Sequence, residues 1–368
     1  MGIVDMSAYL QDQIRAARVD GTPLAIRGGG SKHFYGRGLE GVPMDVTGHT
    51  GIVSHAPTEL VVTARCGTPL AELEAALAEH GQMLPFEPPH FSSPLPQAVE
   101  GAGERGHVRA TVGGMVAAGL SGPRRPWGGA VRDAVLGAKL LTGKGERLNF
   151  GGQVMKNVAG YDVSRLLAGS LGSLGVILEV SLKVLPRPAK EITLVQEADA
   201  ATALARLTAW QGKAWPLSAS LHDGERLWIR LSGTHAGVNA AREALGGEES
   251  ADLSVWRQAR DQTLPFFRAD KPLWRLSVPP ATPLMNLPGA WLTEWGGAQR
   301  WLMSEATAAS IRAAAAGAGG HATLFRGHDG TGEVFQPLPP PLMALHKRLK
   351  AGFDPAGILN PGVMVEGL

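Results

Sequence analysis

The glycines of this 368-residue chain are concentrated before residue 189, and this distribution constrains the possible folds more than any other feature of the sequence. Of the 49 glycines, 30 lie there, whereas eight of the nine tryptophans lie between Trp210 and Trp301. Such a change indicates two differently built units, in agreement with the two domains expected at this length. The boundary is predicted in LPRPAKEI, where Pro186 and Pro188 follow the apolar run 176–185.

Charge and cysteine content exclude several classes of protein. The 35 Lys and Arg residues nearly balance the 33 Asp and Glu residues, whereas a nucleic-acid-binding protein usually has a larger positive excess. Cys66 is the only cysteine, so the chain can form neither an internal disulfide nor an iron–sulfur cluster on four of its own thiolates. The sequence has no run of eighteen apolar residues and no basic, apolar leader. We therefore expect a cytoplasmic chain whose contact with the inner membrane would be made through partner subunits.

The first unit mixes strand and helix patterns. TPLAIRGGG indicates a strand that ends in a glycine loop, 60–65 a second strand, and 176–185 an alternating strand, while VLGAKLLT and ERLNF on either side of GKG indicate a hairpin. Thr68 is the predicted N-cap of a helix in which the leucines at 70, 73 and 77 form one apolar stripe. Because these patterns lack the regular spacing of βαβ units, they favour an α+β fold over a doubly wound sheet.

Two glycine motifs resemble nucleotide-binding signatures but lack the context that those signatures need. GAGERG (101–106) has the spacing GxGxxG, yet it neither follows a predicted strand nor opens a helix, as a dinucleotide fingerprint must. GAKLLTGKG (137–145) has Gly145 where a P-loop requires Ser or Thr. These motifs therefore support neither a Rossmann fold nor a nucleotide triphosphatase.

The segment RGGGSKHFYG (27–36) is a better candidate for a ligand contact. Three successive glycines after a strand allow positive φ and leave backbone N–H groups unshielded, which makes a nest for a diphosphate, and Ser31 and Lys32 add a hydroxyl and a cation. TVGGMVAAGLSG (111–122) is a second glycine-rich bend, whose small residues allow a flat ring to approach the backbone. An ordinary turn at the first bend and tight helix-on-sheet packing at the second remain open alternatives.

The two bends, the GYD motif and the final NPG together resemble the flavoproteins of the vanillyl-alcohol oxidase and p-cresol methylhydroxylase (PCMH) type. Within this family, QVMKNVAGYDVSRLLAGSLGSLGVILEVSLKVLPRP and LKAGFDPAGILNPGVM are similar to the FAD-binding subunits of bacterial glycolate oxidases. The resemblance implies an α+β fold with three parts. These are a two-subdomain PCMH-type FAD-binding domain over 1–188, a reduced α+β cap domain over 189–340, and a C-terminal segment over 341–368 that returns to the FAD domain.

The resemblance also implies which residues bind FAD. They lie in the two bends, in the strand near residue 176 and in the C-terminal motif: Arg27, Gly28, Gly29, Gly30, Ser31, Lys32, Pro88, Thr111, Gly113, Gly114, Gly119, Ser121, Gly122, Gly175, Val176, Ile177 and Asn360. We expect main-chain amides of both bends to bind the diphosphate. Covalent members of the family attach the flavin to a His in the first loop or to a Cys elsewhere. Because Ser31 and Lys32 follow the glycines here and His33 is displaced, we predict a non-covalent FAD.

The family pattern breaks in the predicted cap. Related 2-hydroxy-acid dehydrogenases are expected to contain an HxGDGNxH-like motif, whereas this chain has FRGHDGTGEVFQPL with the single His328. Oxidation of a 2-hydroxy acid needs a cation for the carboxylate and a base for the hydroxyl proton, and Arg326 and His328 are the candidate catalytic residues. His328 with Asp329 and Glu333 is too small a set to predict a metal site. A degenerate cap loop with solvated charges is an equally good interpretation, and it would place the substrate site in a partner chain.

Three functions remain open at this point. The first is the FAD-binding subunit of a glycolate oxidase complex, which oxidises glycolate to glyoxylate and passes electrons to its partners, a catalytic FAD-linked subunit and an iron–sulfur subunit. The second is a stand-alone flavin-dependent 2-hydroxy-acid dehydrogenase, and the third is a scaffold subunit whose FAD is structural. The tryptophans between residues 210 and 301 agree with packing of a cap or with a subunit interface.

Overall fold

The computed structural model describes residues 2–91, 108–152, 162–327, 330 and 332–368. The α-helices of these residues are α1 (Ser7–Asp20), α2 (Leu70–Glu79), α3 (Val112–Ala118), α4 (Arg125–Gly128), α5 (Val131–Ala134), α6 (Val163–Leu166), α7 (Ala200–Trp210), α8 (His235–Leu245), α9 (Val255–Asp261), α10 (Ala308–Gly317) and α11 (Pro340–Phe353). The strands are β1 (Leu24–Arg27), β2 (Val42–Asp45), β3 (Ile52–Ala56), β4 (Val61–Arg65), β5 (Gln82–Met83), β6 (Val135–Leu141), β7 (Arg147–Gly151), β8 (Val176–Lys183), β9 (Leu185–Pro186), β10 (Lys190–Glu197), β11 (Leu217–His222), β12 (Arg226–Gly233), β13 (Glu248–Glu249), β14 (Leu273–Ser277), β15 (Ala290–Glu294), β16 (Gln299–Met303) and β17 (His321–Arg326).

The chain forms two compact units, each of which combines helices with sheet. The first unit consists of Met1–Leu120, Ala130–Pro186 and Asp329–Leu368, and the second of Ser121–Gly129 and Arg187–His328. The α+β fold is therefore confirmed. The division into an FAD-binding domain, a cap and a returning segment stays a prediction.

A five-stranded antiparallel sheet forms the centre of the first unit, with the strand order β3-β4-β8-β6-β7. The sequence predicts alternating burial along β8, but its first seven residues are all buried. The reason is that β8 is the central strand, with polar side chains that find partners on neighbouring strands. The carboxylate of Glu179 lies 2.7 Å from Lys139 Nζ, and the hydroxyls of Ser181 and Thr63 are 2.8 Å apart.

The helix predicted after Cys66 is confirmed as α2, with its three predicted leucines fully buried. Its predicted cap is wrong. Thr68 accepts a hydrogen bond from the amide of Gly51 at 2.9 Å, and α2 begins after Pro69 without a side-chain cap. The Thr68 hydroxyl thus joins two loops instead of accepting a hydrogen bond from a free amide in the first turn of α2.

The false P-loop forms β6 and the turn into β7, which is the predicted hairpin. A hairpin turn cannot supply the strand-to-helix transition that a P-loop needs. The GAGERG motif lies outside the described residues.

An eight-stranded antiparallel sheet forms the second unit, with the order β13-β10-β12-β11-β15-β16-β14-β17. The sheet has two similar halves, β10-α7-β11-β12-α8-β13 and β14-β15-β16-α10-β17. The second half has no helix between its first two strands. Residues 278–289, all of them described, contain four prolines there, which explains the missing helix.

The tryptophans of the second unit pack mainly inside it. Trp256, Trp274, Trp295 and Trp301 are buried, and the indole nitrogens of two of them donate hydrogen bonds to buried side chains of the unit. These bonds join Trp256 to Thr193 at 2.8 Å and Trp301 to Glu294 at 2.6 Å. Internal packing therefore accounts for these four tryptophans.

Within the described ranges, no helix has both the length and the apolar character that crossing a membrane would require.

Candidate functional site

The first glycine-rich bend leaves the end of β1 as a short loop, here called the glycine loop (residues 28–30). Gly30 has a φ of +78°, in the left-handed region that favours glycine, whereas Gly29 has no positive φ. The predicted left-handed conformation therefore belongs to the last glycine of the loop.

The glycine loop lies directly against the segment that leads into the second bend. The amide of Arg109 donates to the carbonyl of Gly29 at 2.9 Å, and a Cβ atom built on Gly29 would overlap the carbonyl oxygen of Arg109. A Cβ atom built on Gly28 would lie 2.8 Å from the hydroxyl oxygen of Thr111. The structure thus places the two predicted FAD-binding bends side by side, with no room for a larger residue at Gly29.

The donors of the glycine loop are available to a ligand. Among the described residues, none accepts a hydrogen bond from the amides of Gly28, Gly29 or Gly30. The Nε atom of Arg27 is buried and also has no hydrogen-bond partner in the described part of the chain. A buried donor without an acceptor, such as Arg27 Nε, is uncommon in folded proteins, and a diphosphate would bond it together with the amides of the half-buried glycine loop and neutralise the Arg27 charge. The loop therefore fits an anionic group such as the diphosphate of FAD.

Ser31 and Lys32 extend this positive surface. Ser31 is buried and accepts a hydrogen bond from Lys32 Nζ at 3.1 Å. The same ammonium lies 5.6 Å from the centre of the Phe91 ring. The lysine charge is thereby held next to the glycine loop rather than extended into solvent.

The second bend forms α3, and its first amides are already hydrogen-bonded inside the protein. Val112 donates to the carbonyl of Thr68 at 2.9 Å, Gly113 to that of Cys66 at 2.8 Å, and Gly114 to the hydroxyl of Thr111 at 3.2 Å. The expectation that both bends offer main-chain donors therefore does not hold at the start of α3. What this bend presents beside the glycine loop is the hydroxyl of Thr111, which can still donate its own proton.

The other residues predicted to contact FAD lie at the end of α3, at the start of β8 and after β5. Gly119 ends α3 in a left-handed conformation. Gly175 immediately precedes β8, in which Val176 and Ile177 are buried and pair with β6. Pro88 is buried between β5 and the end of the first described range. Their contact with FAD stays a prediction.

Ser121 and Gly122 belong to the second unit. The carbonyl of Gly122 accepts a hydrogen bond from the indole of Trp295 at 3.1 Å. Arg124, two residues further on, lies 2.6 Å from the carboxylate of Glu191. The chain segment after α3 is thus held by the sheet of the second unit.

Asn360 supports the strand that carries the glycine loop. It is buried, and its side chain accepts a hydrogen bond from the amide of Ile26 and donates one to the carbonyl of Leu171, each at 2.7 Å. The oxygen and the nitrogen of the Asn360 side chain are therefore both hydrogen-bonded to the protein backbone. The structure thus indicates that Asn360 shapes the site.

Of the two candidate catalytic residues, Arg326 is described and His328 lies outside the described residues. Arg326 ends β17 in the second unit and donates to the side-chain oxygen of Gln262. Burial lowers the pKa of its guanidinium to about 10, so it remains a cation at neutral pH. Among the described residues, no three His, Cys, Asp or Glu side chains are grouped as metal ligands would be.

Two residues of the first unit escaped prediction. Lys350 and Asp354 form a buried ion pair of 2.7 Å beside the C-terminal motif. Their spacing of four residues across the end of a helix was the available signal. Cys66, by contrast, is inert, because burial raises the pKa of its thiol to about 12.

Comparison with known proteins agrees with this geometry. A family model described as FAD binding domain matches residues 4–95, which include the glycine loop. A solved structure of alkyldihydroxyacetonephosphate synthase has a TM-score of 0.65, covers 96% of this chain and 75% of its own, and is 16% identical in sequence. The chain thus contains an FAD-binding domain and has a fold of the PCMH type, as the sequence predicts.

The chain is 51% identical over 360 residues to glycolate oxidase subunit GlcE of Escherichia coli K12, which covers 98% of this chain and 97% of that protein. It belongs to the GlcE family. Partial similarity extends to glycolate oxidase subunit GlcD of Bacillus subtilis, 38% identical over 85 residues, or 23% of this chain and 18% of that protein. D-lactate dehydrogenase of Anaerostipes hadrus is 31% identical over 155 residues, or 42% of this chain and 29% of that protein.

Proposed function

We propose that this chain is the FAD-binding subunit of a glycolate oxidase complex that oxidises glycolate to glyoxylate and passes the electrons to partner redox subunits. The observation that carries the proposal is the similarity to GlcE over nearly the whole of both chains. The glycine loop, whose amides and neighbouring Arg27 Nε lack an acceptor in the described structure, supports the part that concerns FAD. The chemistry that bound FAD supplies is the acceptance of two electrons from the carbon that carries the hydroxyl group.

The residues proposed to hold FAD are those whose donors lack an acceptor in the described structure. The amides of residues 28–30 would hold the diphosphate, and the guanidinium of Arg27 would oppose its charge. Thr111 would donate its hydroxyl proton beside them. In the proposed domain organisation, 1–188 is the FAD-binding domain, 189–340 the cap and 341–368 the returning segment.

The only cysteine of the chain is a buried thiol, so an iron–sulfur cluster cannot be held on four thiolates of this chain, and in the proposed complex partner subunits take up the electrons. We assign the partner roles to a catalytic FAD-linked subunit, which the partial similarity to GlcD supports, and to an iron–sulfur subunit. The proposed location is cytoplasmic, with contact to the inner membrane through these subunits.

A second candidate function is a stand-alone flavin-dependent 2-hydroxy-acid dehydrogenase. The partial similarity to a D-lactate dehydrogenase and the half-buried cation of Arg326 favour it. In this case Arg326 would bind the substrate carboxylate and His328 would take the hydroxyl proton.

Anaerobic mixing with glycolate separates these functions. The proposed complex predicts that the 450 nm absorbance of the flavin bleaches only when the partner subunits are present. Bleaching of the isolated chain would instead establish the stand-alone dehydrogenase. A flavin of this chain that stays oxidised while the assembled complex turns over would show that its FAD is structural and would overturn both redox functions.

A further inference from the structure

The ammonium of Lys350, near the end of α11, is enclosed by the protein. The residue is 7% exposed, and Nζ has three hydrogen-bond acceptors: the carbonyl of Ser173 at 2.8 Å, the carboxylate of Asp354 at 2.7 Å and the carbonyl of Leu359 at 2.6 Å. An ammonium has three protons, so each is used. This one group joins α11, the turn before β8 and the C-terminal segment.

Asp354 holds the same C-terminal segment from the other side. It is 1% exposed, and its carboxylate accepts hydrogen bonds from the amides of Ile358 at 3.2 Å and Leu359 at 2.8 Å. The backbone of residues 358 and 359 is therefore fixed by charge-assisted bonds on both its donor and its acceptor side.

The segment fixed in this way runs along β1. The amide of Leu24 donates to the carbonyl of Ile358 at 2.7 Å, and the amide of Asn360 donates to the carbonyl of Leu24 at 3.0 Å. The amide of Ile26 donates to the side chain of Asn360 at 2.7 Å. Alternate amides of an extended strand point to the same side, so the amide of Gly28 is the next in this row. It is also the first amide of the row that the protein leaves to a ligand.

We propose that Lys350 is a positioning residue for FAD binding: through Asp354 and the segment 358–360 it fixes the direction of β1 and hence of the Gly28 amide. The inference rests on the proposed placement of the diphosphate in the glycine loop. Lys350 does not touch the cofactor in this role.

Lys350→Met tests the proposal in the full chain freed of FAD. We expect the Kd for FAD to rise at least tenfold, and amide hydrogen exchange in the peptide that spans residues 24–30 to become faster. Lys139→Met is the matched control, because it removes a lysine that lies 2.7 Å from a buried carboxylate in the same unit, away from β1. We expect the control to leave the Kd within twofold and exchange in residues 24–30 unchanged.

The double variant Lys350→Met/Asp354→Asn separates positioning from stability. Removing both charges avoids an isolated buried carboxylate, so this variant keeps the experiment possible if Lys350→Met does not fold. We expect it to recover stability but not affinity, because the carbonyls of Ser173 and Leu359 still lack their donor. Recovery of FAD affinity in parallel with stability would overturn the proposal.

Arg27→Met, measured alongside, distinguishes this inference from the proposed site. If Arg27→Met weakens FAD binding and Lys350→Met does not, only the positioning role is overturned. If neither variant changes the Kd, the placement of the diphosphate is overturned as well.

Discussion

Gly30→Ala gives a quantitative test of the glycine loop. A non-glycine residue in the left-handed region costs about 1–2 kcal/mol, and Gly30 has a φ of +78°. Space does not add to this cost, since a Cβ atom on Gly30 would lie 3.5 Å from the His33 ring, an ordinary contact distance. The substitution therefore adds backbone strain with little steric overlap.

The strain can be expressed in two measurable quantities. If the loop of the FAD-free protein keeps its conformation, the free energy of unfolding falls by about 1–2 kcal/mol and the Kd for FAD is unchanged. If the loop relaxes without FAD, the cost is transferred to binding, and the Kd rises about 5- to 30-fold. Urea unfolding of the FAD-free chain and titration with FAD by flavin fluorescence measure the two parts, and we expect their sum to be about 1–2 kcal/mol.

Gly81→Ala is the matched control. Gly81 has a φ of +63°, follows α2 in the same unit, and has no atom within 4 Å of the position of an added Cβ. The control should lower the free energy of unfolding by a similar amount and leave the Kd for FAD unchanged. Our reasoning would be refuted if Gly30→Ala changed neither quantity, or if Gly81→Ala weakened FAD binding as much as Gly30→Ala.

Three further predictions concern the same unit. Acid precipitation should release the flavin into the supernatant; a pellet that stays yellow would show a covalent bond. Gly29→Val should lower stability as well as FAD affinity, because its Cβ overlaps the carbonyl of Arg109; a variant with wild-type urea midpoint would contradict this contact. Burial, together with the charge of Arg65, lowers the pKa of His49 in the folded protein, and its neutral ring accepts the amide of Met6 at 3.0 Å. The unfolded chain therefore binds a proton more readily, so this part of the stability is complete above pH 6.5 and is lost as the pH falls below it. Urea unfolding measured from pH 5 to 7.5 should show a free energy of unfolding that rises with pH, and His49→Gln should make this rise smaller. An equal rise in both proteins would refute the role of His49.

Local signals in the sequence predicted the local parts of the site. A strand followed by three glycines indicated β1 and its loop, and a leucine stripe indicated α2, because both patterns are set by neighbours along the chain. The residues that complete these elements are distant in sequence. Ile26 and Asn360 are 334 positions apart, and no periodicity connects them. Hydrogen bonds between residues so distant in sequence, such as that between Ile26 and Asn360, could therefore be identified only from the structure.

The same limit explains the errors at Thr68 and at the start of α3. Each prediction relied on the residue type alone: a threonine can cap a helix, and glycine amides can bind a ligand, when no other part of the chain competes for them. In the fold, Thr68 is drawn to Gly51, and the amide of Gly113 to the carbonyl of Cys66. A backbone amide that is already hydrogen-bonded to a neighbouring loop is no longer available to a ligand. The sequence does not show which loop will provide such an acceptor.

The charges of the second unit bear on where glycolate is oxidised. The guanidinium of Arg300 donates to carbonyls of the unit, and that of Arg230 to Ser218. The guanidinium of Arg326 also donates to a neutral group, the side-chain amide oxygen of Gln262. A substrate carboxylate forms a stronger charge-assisted bond than an amide oxygen and could displace Gln262, but oxidation also needs a base. In the proposed complex this base is supplied by the catalytic partner subunit, whereas in a stand-alone dehydrogenase it would be His328.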